Sequence, residues 1–202
     1  MIHVLGPRNV HRIREFREAG VPVIMTVSKA DDPFWRGLSP FFLGPVALYG
    51  GHSSRNVENA WQFSKVYKKH TDAAGDPTDE YFEWARRGWA DRRAHRYPMG
   101  RGAVPEYSWW DGAKLGYVQA RKAIYAPLYI KAVAGTEAWG RLKEKCAGGA
   151  DVCLWDYDAY DHRSLGMTYR DVLNDPTKKM GHAFVLAMML ECKDDLVDML
   201  EN

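Results

Sequence analysis

Glu58, Gln62 and Lys65 are spaced four and three residues apart, so a helix through them puts a carboxylate, an amide and an ammonium on one stripe. Val57, Ala60, Trp61, Phe63, Val66 and Tyr67 make the rest of that helix apolar, the signature of a buried one. Buried charges and amides need partners, at a cost of roughly several kcal/mol per group when they lack them. The stripe therefore either closes into an internal network or lines a pocket. A second polar constellation, Asp156-Tyr157-Asp158-Ala159-Tyr160-Asp161-His162-Arg163, follows Trp155 at the mouth of a predicted strand, where scaffolds commonly hold functional groups. It reads either as a site or as a solvated loop. Trp109-Trp110, with Lys114 one turn later, is a third: two successive Trp cannot face one core from a helix, so one of them could cover a cavity.

Several familiar templates are missing. The chain has no Gly-rich phosphate loop, no G-x-S-x-G and no HExxH, and its Asp spacing lacks the Gly and distal Glu of an EF-hand loop. Cys146, Cys153 and Cys192 have no metal-ligand spacing and the seven His are scattered, so we expect no metal and no cofactor. A net charge of +2 gives no strong field for nucleic acid. Arg12, Arg14 and Arg17 form one basic cluster, and Arg86, Arg87, Arg92, Arg93, Arg96 and Arg101 a second that reads first as a solvated helix face, with an anionic ligand kept in view. Three thiols, no leader pattern and no long apolar run predict a soluble cytoplasmic protein.

These groups must be positioned by an α+β fold, predominantly helical, with a few short strands in a single domain of 202 residues. Helices are expected over about 11–18, 57–67, 79–96, 111–133, 136–146 and 180–200, the second capped by Ser54 or Asn56. Strands are expected at 21–27, 46–49 and 152–155, with a turn at Gly50-Gly51.

Leu38-Ser39-Pro40-Phe41-Phe42, Gly50 and Glu58-Asn59-Ala60-Trp61-Gln62-Phe63-Ser64-Lys65 together resemble the NADAR (YbiA-like) family, whose hallmarks are L-S-N-F and E-H-x-[YFW]-Q-x-x-K. Trp110-x-x-x-Lys114-x-x-x-Val118 resembles its W-x-x-x-K-x-x-V-M helix. The Asp158/Asp161 loop leading to Gly166, then Asn174-Asp175-Pro176 and Gly181-His182-Ala183-Phe184, follow in family order. Pro40, Asn59 and Gln119 stand where the family has Asn, His and Met, and Ser164-Leu165-Gly166-Met167 replaces W-G-x-G.

The resemblance implies a YbiA-like domain over 24–202 with residues 1–23 as an extension packed on it. It implies an N-glycosidase acting on an ADP-ribosylated guanine, in nucleotide or nucleic acid, or on a ribosylamino-pyrimidine of the riboflavin pathway. The implied catalytic residues are Glu58, Trp110 and either Asp158 or Asp161. In that scheme the late Asp stabilises the oxocarbenium charge, Glu58 holds ribose hydroxyls or shares the base role, and Trp110 stacks on the leaving base. Ser39, Phe41, Asn59, Gln62, Lys65 and Lys114 are the expected substrate-binding residues. A non-catalytic module for ADP-ribose or a modified nucleotide is the alternative, and a base-modifying transferase a third reading.

Overall fold

The computed structural model describes residues 1–201. In chain order its elements are β1 (Ile2–Leu5), α1 (Val10–Glu18), β2 (Val23–Met25), β3 (Val46–Ala47), β4 (Ser53–Ser54), α2 (Val57–Gln62), β5 (Lys65–Val66) and α3 (Asp79–Ala90). Then come β6 (Tyr107–Trp110), β7 (Ala113–Leu115), α4 (Tyr117–Ala120), a π-helical turn Arg121–Tyr125, α5 (Ala126–Val133), α6 (Glu137–Cys146), β8 (Val152–Trp155), α7 (Tyr169–Asn174), α8 (His182–Glu191) and α9 (Leu196–Glu201). The fold is α+β, with helices dominant and strands short. It divides into two compact units, Met1–Ser39 with Tyr129–Asn202, and Pro40–Leu128.

The first unit is built on a parallel sheet of order β1-β8-β2. β8 is central, pairing Ile2 with Val152 on one side and Val23 with Cys153 on the other. Val152, Cys153 and Leu154 are fully buried, as a strand covered on both faces requires. α8 packs on β1 and β8 and is buried all round from Ala183 to Met188, which explains its unbroken apolar run. The helix expected over 180–200 is two helices. α8 stops at Glu191 where the buried run gives out, and α9 restarts after the polar turn closed by the Asp195 N–H on the Cys192 carbonyl.

In the second unit an antiparallel sheet of order β5-β6-β7 packs with α3 around Phe63, Val66, Tyr81, Ala85 and Trp89. The Asn56 side chain caps α2 by accepting from the Asn59 N–H, at 2.8 Å. α2 does not run on to Tyr67. The Tyr81 hydroxyl donates to the carbonyls of Phe63 (3.2 Å) and Ser64 (3.0 Å), and the Trp109 N–H donates to that of Ser64 (2.8 Å). Those carbonyls are drawn into the sheet, so Lys65 begins a strand opposite Ser108.

Trp109 and Trp110 are likewise strand residues, not the start of a helix. Asp111 and Gly112 both have positive φ (46° and 84°), the geometry of a tight Asp-Gly hairpin, and the next helix starts only at Tyr117. The helix expected over 79–96 ends at Ala90, and residues 91–95 are held by side-chain bonds described below.

Close packing gives a contrast between two helical glycines. A Cβ on Gly88 would overlap the Phe63 ring, whereas one on Gly140 would meet open space. Gly88→Ala should lower unfolding free energy by about 1–3 kcal/mol, and Gly140→Ala should raise it by about 0.5–1 kcal/mol. Urea denaturation of the two variants checks both signs.

Candidate functional site

The stripe closes into a hydrogen-bonded relay even though its third member has left the helix. Lys65 Nζ donates to Gln62 Oε1 (2.7 Å), and Gln62 Nε2 donates to Glu58 Oε1 (2.9 Å). An ammonium only donates and a carboxylate only accepts, so the pair at the two ends fixes which way the amide points. Glu58 is 6% exposed and Gln62 is also buried, while Lys65 is half-buried. The Glu58 N–H donates to the Pro40 carbonyl (3.0 Å), tying the start of α2 to the Pro40 segment.

An aromatic wall adjoins the relay. The Trp61 ring lies 5.3 Å from buried Tyr125 and 6.4 Å from Tyr117, centroid to centroid, and Lys65 Nζ sits 4.8 Å from the Trp61 ring. The Arg121 guanidinium lies 4.6 Å from the Tyr117 ring and is 1% exposed. Arg121 and Tyr125 bound the π-helical turn, a rare widening of the helix that is frequent at functional sites. None of Tyr117, Arg121 and Tyr125 was expected at the site. Their four-residue spacing is a visible signal, but on a helix of 3.6 residues per turn such steps drift around the axis. The widened turn, which sequence does not announce, offsets that drift.

The other expected residues fall in different surroundings. Trp110 ends β6 with its ring 5.0 Å from Tyr49, edge to face. By strand pairing, Lys65, Ser108 and Leu115 share one sheet face, and alternation along β6 adds Trp110. Lys114 pairs with Trp109 and so lies on the opposite face, over Tyr107 (5.3 Å) and bonded to Asp76 (2.7 Å). The helical spacing that would have joined Trp110 to Lys114 does not exist, because a hairpin separates them. Asn59 is buried, with its amide donating to the carbonyls of Asp91 (3.0 Å) and Arg93 (2.9 Å) and accepting from the His95 N–H (2.8 Å). It fastens the segment after α3, so its polar atoms are spent on backbone. Phe41 is partly exposed in the same unit.

Ser39, Asp158 and Asp161 belong to the first unit. Ser39 is buried. Asp158 lies with a carboxylate oxygen 3.8 Å from Lys179 Nζ, and its carbonyl accepts from the Gly181 N–H (3.2 Å). Asp161 accepts from the Ser164 N–H (3.2 Å), a local turn bond.

The most enclosed charge in that loop is instead Asp156, immediately after β8. Its Oδ2 is 3.1 Å from His182 Nδ1 and accepts from the Ala183 N–H (3.2 Å), while Oδ1 accepts from the Asp158 N–H (3.2 Å). His182 Nε2 faces the Thr26 carbonyl at 2.7 Å. The imidazole thus bridges the Asp156 carboxyl and the Thr26 carbonyl at the carboxyl ends of β8 and β2. Burial pushes the Asp156 carboxyl up, but His182 and the two backbone donors outweigh it and hold it below the usual carboxylate range. Asp156 and His182 stand in separate segments of the sequence, and nothing local pairs them. They are 26 residues apart and meet through the fold.

His162, 2% exposed, is the opposite case. Its ring stacks on Tyr169 at 4.7 Å and its Nδ1 is buried without a hydrogen-bond partner, so burial pulls it down to about 4. Arg163 opposes protonation further, and Asp161 and Glu191 offset only part of this.

Among the described residues, no group of three or more His, Cys, Asp or Glu side chains is placed to hold a metal ion. No described helix is long and apolar enough to cross a membrane, and all three cysteines are free thiols.

These two groups set an acid response. A neutral His162 is stabilising above its unfolded pKa of about 6.5, and that contribution falls as pH drops from there to about 4, because the unfolded chain binds the proton first. Asp156 adds stability above the ordinary carboxylate range that is lost as pH falls below it. Unfolding free energy should therefore decline in two stages on acidification, and His162→Phe should flatten the first. Asp156→Asn should cost about 3–5 kcal/mol at pH 7, since it removes the charged partner of a buried, fully bonded pair. Chemical denaturation across pH checks both.

A search of curated proteins finds no match to this chain. Residues 8–186, most of its length, match the description "Family of unknown function (DUF6939)", and the chain belongs to that family.

Proposed function

We propose that this protein is an N-glycosidase of the NADAR (YbiA-like) kind, with a YbiA-like fold. Its substrate would be an ADP-ribosylated guanine or a ribosylamino-pyrimidine intermediate. One observation carries the reading: a nearly buried carboxylate, Glu58, is held through Gln62 by the half-exposed Lys65, beside the partly open aromatic surface of Trp61. This arrangement gives a fixed negative charge and an aromatic surface within one unit.

In the proposed reaction, water attacks the anomeric carbon as the carbon–nitrogen bond breaks. The bonding electrons leave with the base, which takes up a proton, and the attacking water loses one. Positive charge grows on the sugar in the transition state, so a carboxylate held close lowers the barrier. Glu58 would hold ribose hydroxyls or take the water's proton; the late-aspartate role that the resemblance implies would fall to Asp158 or Asp161. Lys65 keeps Glu58 in place through the amide, and Trp110 would stack on the leaving base.

The alternative of a non-catalytic ADP-ribose or modified-nucleotide module has its own support, because Glu58 spends one oxygen on Gln62 inside the protein. Base release from ADP-ribosyl-guanosine, followed by chromatography, separates the two. Glu58→Gln should reduce the rate by about 10²–10⁴-fold, and only one of Asp158→Asn and Asp161→Asn should do the same. Near wild-type turnover in Glu58→Gln would sink the assigned role. Ligand binding without any base release would favour the module.

A further inference from the structure

We propose that Tyr117, Trp61 and Lys65 form a nucleotide subsite: an aromatic base stacks on the open face of Tyr117 and its phosphate meets the Lys65 ammonium. This assigns the part of an ADP-ribosyl substrate that is not cleaved, and to that extent it rests on the glycosidase reading.

Tyr117 is 41% exposed although the cation against its ring, Arg121, is 1% exposed. The guanidinium therefore covers the inner face of the ring, and the exposed surface lies on the other side. A buried cation against one side of the ring leaves the other side as a backed platform. Stacking of a base on such a surface is tolerant of base identity, because every base has a π-face. Trp61 continues the wall at 6.4 Å, tilted by 41° from Tyr117, and is braced from within by buried Tyr125. Lys65 stands at the Trp61 end, half-exposed, with its ammonium already oriented by Gln62. An aromatic platform with a cation at one end matches a planar base carrying an anion. The π-helical turn makes the arrangement possible by setting Arg121 and Tyr125 against the Tyr117 and Trp61 rings.

Calorimetric titration with AMP, adenosine and ribose 5-phosphate tests the proposal on the full chain. AMP should bind at least about tenfold more tightly than either fragment. Tyr117→Ala should weaken AMP and adenosine by about tenfold or more and leave ribose 5-phosphate unchanged, while Tyr117→Phe, which keeps the ring, should bind as wild type. Lys65→Met should bring AMP down to the affinity of adenosine. Equal affinities for the three probes would overturn the subsite. So would a Tyr117→Ala protein that melts as wild type and still binds AMP as wild type. Wild type that binds AMP in this pattern but releases no base defeats the glycosidase reading and leaves the subsite standing. Base release with a KM unmoved by Tyr117→Ala defeats the subsite alone.

Discussion

The carbonyl of Ser64 is where the Pro40–Leu128 unit is decided. It accepts from the Tyr81 hydroxyl and from the Trp109 N–H, so it cannot serve as the acceptor of a continuing helical turn. α2 ends, β5 begins, and three consequences follow together. Lys65 is carried into the sheet opposite Ser108 and yet stays within bonding distance of Gln62. Phe63 turns into the core against Gly88, where no larger residue would fit. Tyr81, fully buried, has its hydroxyl satisfied by main chain, so one bond both satisfies a buried donor and ends a helix.

The two units enclose charge on different terms. In Pro40–Leu128 the Glu58 carboxylate meets an amide whose other end is held by an ammonium at the protein surface. The arrangement remains open to solvent at Lys65. In the other unit Asp156 and His182 are both buried and face each other directly, with backbone donors and the Thr26 carbonyl taking up their remaining bonding capacity. A pair so completely satisfied locks the carboxyl ends of β8 and β2 to the start of α8. It reads as architecture, because every polar direction described for it ends on protein.

Much of this was legible in the chain itself. The unbroken Val152–Trp155 run gives β8 to the residue, Asn56 was a named cap for α2, and the apolar surroundings of Glu58 foretold its burial. The bridge of Glu58 to Lys65 through Gln62 was one of the two fates open to the stripe, and it is the one realised, although the half-exposed Lys65 leaves a pocket role available. The i, i+4 spacing of Trp110 and Lys114 suits a helix, but Asp111-Gly112 between them is a strong hairpin signal, and the hairpin prevails.

What sequence alone determined are the local matters: which residues cap, turn, alternate or must be buried, since these depend on neighbours a few positions away. Glu58, Gln62 and Lys65 could be singled out because their types and spacing are local facts. Only the tertiary structure decided that Lys65 reaches Gln62 from a strand, that Asn59 is spent on residues 91–95, and that Asp156 meets His182. It also decided that a π-helical turn sets Arg121 behind Tyr117. Each of these rests on a hydrogen bond or ring contact whose partner comes from elsewhere in the fold or from a change of helical pitch. The free energy that selects such a contact belongs to the packed core, and no window of sequence contains it.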